Sequence, residues 1–281
     1  MKCRFLFICS MLVSFTLNFY AQSTLTLKGD MMYTNVTLSH NGISRNVSAL
    51  IDTGSSVCVI DSTYAADSCR VVATQSNASI GNTYGKRIKS FDFNIDSISV
   101  AGVSYPMTRC FVVDLAGKLQ HLAPKFILGG DFLKKEIWCF DLNAHIIKRS
   151  NAPQKESSIC IKWKNHDDYR DASLNSIYFN GTIGRKKTRI FFDTGSMHNK
   201  LPKTFGIAAT REIEGEKGDI ANKVRMTRGG LCEGISMELS KNKFLLDFTL
   251  NNDKYPRVNA SFLLGKSFVL DYSHKTLYIL K

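Results

Sequence analysis

Apolar and polar residues alternate along much of the chain with the period of two that a half-buried strand requires. Asn35-Val36-Thr37-Leu38-Ser39 shows the pattern, and Asn41-Gly42 supplies a turn after it. Val, Ile, Phe, Thr and turn residues recur elsewhere, while long stretches at helical period are few. A mostly β protein is therefore predicted, with short local helix over 131–136 and, more briefly, after Gly265.

Four apolar runs break the alternation: Ala49-Leu50-Ile51, Phe126-Ile127-Leu128, Ile190-Phe191-Phe192 and Phe262-Leu263-Leu264. Such runs read as strands buried on both faces. The first and third lead into Asp52-Thr53-Gly54-Ser55 and Asp193-Thr194-Gly195-Ser196, and the other two end at Gly129 and Gly265. One order of events is thus written twice, over 28–149 and over 175–281. Gly129 follows Asp52 by 77 positions and Gly265 follows Asp193 by 72. The second copy opens with Ile177-Tyr178-Phe179 and a turn around Asn180-Gly181 and Gly184. Closing segments carry Asp141, 12 positions after Gly129, and Asp271, six after Gly265, so the second copy is expected to lack a full helix there.

A single Asp-Thr-Gly is an ordinary turn sequence. Two copies, each at the end of a buried strand, place ionisable groups where burial is costly unless they are used. Brought face to face, two carboxylates cannot comfortably both ionise, so one keeps a proton and the pair offers an acid and a base together. A water held between them loses its proton to one carboxylate while the other hydrogen-bonds a scissile carbonyl.

Leu50-Ile51-Asp52-Thr53-Gly54-Ser55 with Ile127-Leu128-Gly129, and Phe191-Phe192-Asp193-Thr194-Gly195-Ser196 with Leu263-Leu264-Gly265, resemble the aspartic proteases of the pepsin and retropepsin superfamily. The likeness spans nearly all of the chain after residue 21 and is similar to compact secreted bacterial forms with two retropepsin-like lobes in one chain. It implies a bilobal acid-protease fold of two β-barrel-like lobes, 22–152 and 153–281, with the active site between them. It also implies an aspartic-type endopeptidase with Asp52 and Asp193 catalytic and a peptide or protein as substrate. Thr53 and Thr194 would clasp the two loops, and Gly54 and Gly195 would give a tight backbone beside each carboxylate. Ser55 and Ser196 would set a hydroxyl against the outer carboxylate oxygens, from which an acidic optimum is expected. Tyr84 and Gly85, in Ile80-Gly81-Asn82-Thr83-Tyr84-Gly85, are the flap candidate, and 215–230 reads as a second flap or a loop. A peptide-binding or inhibitory module on the same fold is the alternative, and an envelope scaffold is a third reading.

Lys2 and Arg4 precede an apolar core from Phe5 to Phe19, the order of a secretory signal peptide over 1–21, so an exported, periplasmic, envelope or extracellular protein is expected. No later apolar run reaches the roughly 18 residues of a spanning helix. The formal charge is +13, or +11 without Lys2 and Arg4, which suits anionic surfaces or acidic substrates. Aromatic interleaving and zinc-finger spacing are absent, so no nucleic-acid partner is expected. Cys58, Cys69, Cys110, Cys139, Cys160 and Cys232 remain after the leader, an even count that leaves disulfides and buried thiols both open. His-Glu-x-x-His, Gly-x-Ser-x-Gly and phosphate-loop patterns are missing, and no metal or cofactor is expected in what reads as a monomer.

Overall fold

Alternation in the sequence becomes strand register in the computed structural model, which describes residues 21–72, 78–82, 86–153, 155–164 and 175–281. The leader segment falls almost wholly outside the described residues, as do Tyr84 and Gly85. The chain is mostly β, with barrel-like closure as expected.

The first half runs β1 (Gln22–Lys28), β2 (Met31–His40), β3 (Ile43–Ile51), β4 (Cys58–Asp61), α1 (Ser62–Cys69), β5 (Ser79–Gly81), β6 (Arg87–Lys89), β7 (Phe91–Val100), β8 (Val103–Val113), α2 (Leu115–Leu119), β9 (Phe126–Leu128), α3 (Gly130–Leu133), β10 (Trp138–Asp141) and β11 (Ile146–Arg149). Val36, Leu38 and Val47 turn inward while Asn35 and Asn46 face out, so β2 and β3 each have one wet face. Asn41 and Gly42 join them with positive φ at both positions, the two-residue turn that matches strand twist. Asp61 caps α1 by accepting from the Tyr64 amide at 3.0 Å. Strands β2, β3, β9, β4, β8 and β7 pair in that order and β7 returns to β2, closing a six-strand ring. Within it β3–β9 and β4–β8 are parallel.

The second half follows with β12 (Ser158–Lys164), β13 (Ile177–Ile183), β14 (Lys186–Phe192), β15 (Lys200–Pro202), β16 (Arg211–Asp219), β17 (Asn222–Leu239), β18 (Asn242–Asn251), β19 (Arg257–Val258), β20 (Ser267–Asp271) and β21 (Thr276–Leu280). Strands β13, β14, β19, β15, β18 and β17 close a ring of the same topology, again with parallel pairs at the second and fourth contacts. Asn180-Gly181 lies inside β13 and the turn falls at Gly184, which has positive φ; β17 crosses at Leu239 so closely that a Cβ on Gly181 would press on the Glu238 carbonyl at 2.6 Å.

Register corrects the expected alignment of the halves. Leu128 accepts from the Asp52 amide at 3.0 Å, and the residue that accepts from the Asp193 amide, at 2.9 Å, is Val258. The counterpart of Ile127-Leu128-Gly129 is therefore Arg257-Val258-Asn259, and Phe262-Leu263-Leu264-Gly265 is no strand. Ala260–Leu263 instead forms a 3₁₀ turn in the place of α3. Counted from Asn259, Asp271 lies 12 positions on, as Asp141 does from Gly129, so the apparent difference in spacing vanishes. Phe132-Leu133 and Phe262-Leu263 then coincide, as do the strand pairs that follow.

The rings are joined by a second sheet in the order β1, β11, β10, β20, β21, β12. Its central contact pairs Cys139 with Val269, residues at equivalent places in the two halves, so the sheet reads as two copies related by a local two-fold. Phe140 and Phe268 stack across it at 4.7 Å. Leu25 donates to the His145 carbonyl at 2.8 Å and Trp163 to the Lys275 carbonyl at 3.0 Å, which identifies β12 as the counterpart of β1. Among the described residues six cysteines are free thiols, five of them buried.

Gly129 has no room for a side chain, since an added Cβ would overlap the Val57 backbone behind the Asp52 loop. Gly129→Ala should lower stability by about 1–3 kcal/mol through this overpacking, measured as a lower urea midpoint with an unchanged slope.

Candidate active site

Asp52 and Asp193 stand at the ends of β3 and β14, where three apolar residues deliver each to the seam between the rings. The loops behind them interlock through four reciprocal hydrogen bonds. Thr53 Oγ1 donates to the Phe192 carbonyl at 2.9 Å and Thr194 Oγ1 to the Ile51 carbonyl at 2.7 Å. Each hydroxyl also accepts from the other threonine's amide, both at 3.1 Å. Both threonines are buried.

The glycines show how close the carboxylates come. A Cβ on Gly54 would collide with the Asp193 carboxylate, and one on Gly195 with the Asp52 carboxylate. Each acid therefore lies over the backbone of the opposite loop. Gly54 and Ser55 amides donate to Asp52 Oδ1 at 2.8 and 3.0 Å, and the Gly195 amide donates to Asp193 Oδ1 at 3.1 Å.

The serine hydroxyls act elsewhere. Ser55 Oγ donates to the Val57 carbonyl at 2.8 Å and Ser196 Oγ to the His198 carbonyl at 2.9 Å, so both brace the loop and neither is bonded to a carboxylate. The outer oxygen of Asp193 is held instead by Arg257, whose Nη1 donates to Oδ2 at 2.7 Å. Arg257 is buried, its Nη2 lies 3.6 Å from Asp253, and its guanidinium covers the Phe191 ring at 5.4 Å. Asn259, in the place of Gly129, ties the loop down by donating to the Ser196 carbonyl at 3.1 Å.

Electrostatics separate the two acids. Burial first, and the neighbouring Asp193 carboxylate second, push the Asp52 carboxyl up to about 8 against the pull of the Gly54 and Ser55 amides. Of the two catalytic candidates, Asp193 is the one that is ion-paired with Arg257. Burial also raises the Tyr33 phenol, with the Asp52 charge adding to it. On the second side Lys200 is drawn down to about 8, by burial first and by Arg257 next.

The β5–β6 and β16–β17 strand pairs are linked by side-chain hydrogen bonds. Asn82, beside β5, donates to Asp219 at 3.1 Å, and Lys86 to Asn222 at 2.9 Å, at the tip of the β16–β17 hairpin. His121 also reaches Glu216 at 3.0 Å. The stretch 215–230 is thus regular paired strand over most of its length. A cavity of about 560 Å³ is lined by Tyr33, Tyr64 and Leu122 from the first half and by Met197 and His198 from the second, and neither aspartate lines it.

Arg257 and Asn259 are invisible to an alignment that matches glycine with glycine. The signal that finds them is the ungapped match of 129–149 with 259–279, through Phe132-Leu133, Phe262-Leu263, Asp141 and Asp271, carried back two residues to Arg257; Lys200 follows Asp193 by seven positions, as Val59 follows Asp52. Thr194→Val keeps the shape but leaves the Ile51 carbonyl and the Thr53 amide buried without partners, which should cost about 2–4 kcal/mol in equilibrium denaturation.

A family model described as aspartyl protease matches residues 36–132, from β2 into α3, taking in Asp52-Thr53-Gly54-Ser55 and Ile127-Leu128-Gly129. No curated protein matches the chain. The match supports an aspartic protease family and a protease function.

Proposed function

We propose that the chain is an exported aspartic-type endopeptidase of two lobes, 22–152 and 153–281, that hydrolyses peptide bonds with a water activated between Asp52 and Asp193. The observation that carries this reading is the reciprocal threonine clasp, which sets each carboxylate against the opposite loop. Arg257 assigns the roles. Asp193, paired with its guanidinium, takes the proton from water, while Asp52 keeps its proton and hydrogen-bonds the scissile carbonyl. Collapse of the tetrahedral intermediate returns a proton to the leaving amine, and no acyl-enzyme forms.

One observation favours the non-cleaving alternative, in which the fold binds peptide without hydrolysis. The Arg257–Asp193 ion pair occupies an oxygen that would otherwise face the water. Digestion of a mixed peptide library by the wild type and by Asp52→Asn and Asp193→Asn, with pepstatin as a control, decides between them. Cleavage abolished in both variants is expected. Cleavage that survives either substitution contradicts the shared water, and a folded wild type that cuts nothing favours binding alone.

The pH profile follows from Asp52. Its proton is the one delivered to the carbonyl, so activity is present below the raised Asp52 pKa and declines as pH rises through about 8. With no serine hydroxyl on either carboxylate, the basis for a strongly acidic optimum is gone. Rates of library cleavage between pH 4 and 9 should hold into the neutral range before falling, and a profile confined to acid would refute the assignment.

A further inference from the structure

Equivalent positions in the two rings carry unlike side chains. Val59 of β4 pairs with Ile127 of β9, and both join Tyr33 and Leu50 in an apolar cluster on the first side of the seam. The same closing pair in the second ring is Lys200 of β15 and Arg257 of β19. Tyr178 and Phe191 stand there in the places of Tyr33 and Leu50, as the strand register shows. Two aliphatic residues have thus become two cations at one end of an otherwise repeated floor.

Resting on the protease reading, we infer that the two sides of the cleft take different substrate residues: an aliphatic one over Val59 and Ile127, and an acidic one over Lys200 and Arg257. Lys200 is the residue that determines the acidic preference.

Sequestering cations from water costs free energy that an aliphatic pair would spare, and the first ring shows that this topology closes on an aliphatic pair. Arg257 is already engaged, with Asp193 at 2.7 Å and Asp253 at 3.6 Å. Among the described residues, the Lys200 ammonium has no hydrogen-bond partner, although it lies within the field of Arg257, Asp193, Asp253 and Lys217. It offers three donors to an incoming carboxylate, whose charge in turn favours the ammonium form. On the other side, Ile220 from the tip of the β16–β17 hairpin packs against the apolar cluster to which Val59 and Ile127 belong. The excess of Lys and Arg over Asp and Glu, 37 against 24, draws acidic chains toward the whole molecule.

Binding and cleavage separate this inference from the reading beneath it. The probes are synthetic octapeptides with leucine on one side of the central bond and Glu, Gln or Leu on the other, made in both orders. Titration calorimetry on the protein carrying Asp52→Asn reads binding without turnover. The Glu peptide of one order should bind about ten-fold tighter than its Gln partner. Adding Lys200→Val, which installs the residue found at Val59, should bring that ratio near one and shift preference toward the Leu peptide, while Lys200→Arg should keep the preference for Glu. Lys200→Gln serves if the valine variant does not fold. Equal binding of Glu and Gln peptides, no binding of any, or a preference that survives loss of the lysine charge would overturn the assignment. Should the Glu peptide bind with this preference and remain uncut by the wild type, the specificity stands and the protease reading falls.

Discussion

Everything at the site depends on the clasp between Thr53 and Thr194. Each hydroxyl is used twice, once as donor to the strand that leads into the opposite aspartate and once as acceptor from the opposite amide. A neutral hydrogen bond contributes only about 1 kcal/mol net, but leaving one of these buried groups unpaired costs more. The clasp is therefore specific more than it is strong. It admits one relative placement of the two loops, and that placement brings each carboxylate over the opposite glycine. The six-strand sheet beneath, centred on Cys139 and Val269 with Phe140 and Phe268 stacked across it, gives the two rings a common floor.

On this repeated frame the chemistry is not repeated. The first ring ends in Val59 and Ile127, the second in Lys200 and Arg257. A buried guanidinium is tolerated because Asp193 and Asp253 flank it and Phe191 offers its face. Its consequence is an unequal pair of acids, one with a cation at its outer oxygen and one whose proton is retained by burial and by its neighbour's charge. An equal dyad exchanges labels freely. This one has a direction.

Much of this was legible in the chain itself. Alternation at 35–39, the paired apolar runs and the two Asp-Thr-Gly-Ser segments carry the β architecture and the two acids, because strand period and buried ionisable groups leave strong marks in sequence. The second half was misaligned where Gly265 stood in for Gly129. Glycine is demanded in the first half, where a Cβ would meet the Val57 backbone, whereas in the second half Asn259 fills the position and ties down the loop in front of it with its side chain. Once glycine was matched to glycine, Arg257 fell outside the motif. The serine hydroxyls were misplaced for another reason: a side chain can satisfy its own loop, as Ser55 and Ser196 do, and sequence does not reveal which acceptor wins.

The central claim is that Asp52 and Asp193 form one electrostatic unit, and carboxyl-carbon NMR of the protein with labelled aspartate tests it most directly. Titration from pH 3 to 9, with the Asp52 signal assigned by its loss in Asp52→Asn, should give a transition far above the ordinary carboxylate range. In Asp193→Asn that transition should fall but stay elevated, since burial remains after the neighbouring charge is gone. An Asp52 signal that titrates like a surface aspartate, or one indifferent to Asp193→Asn, would contradict the account.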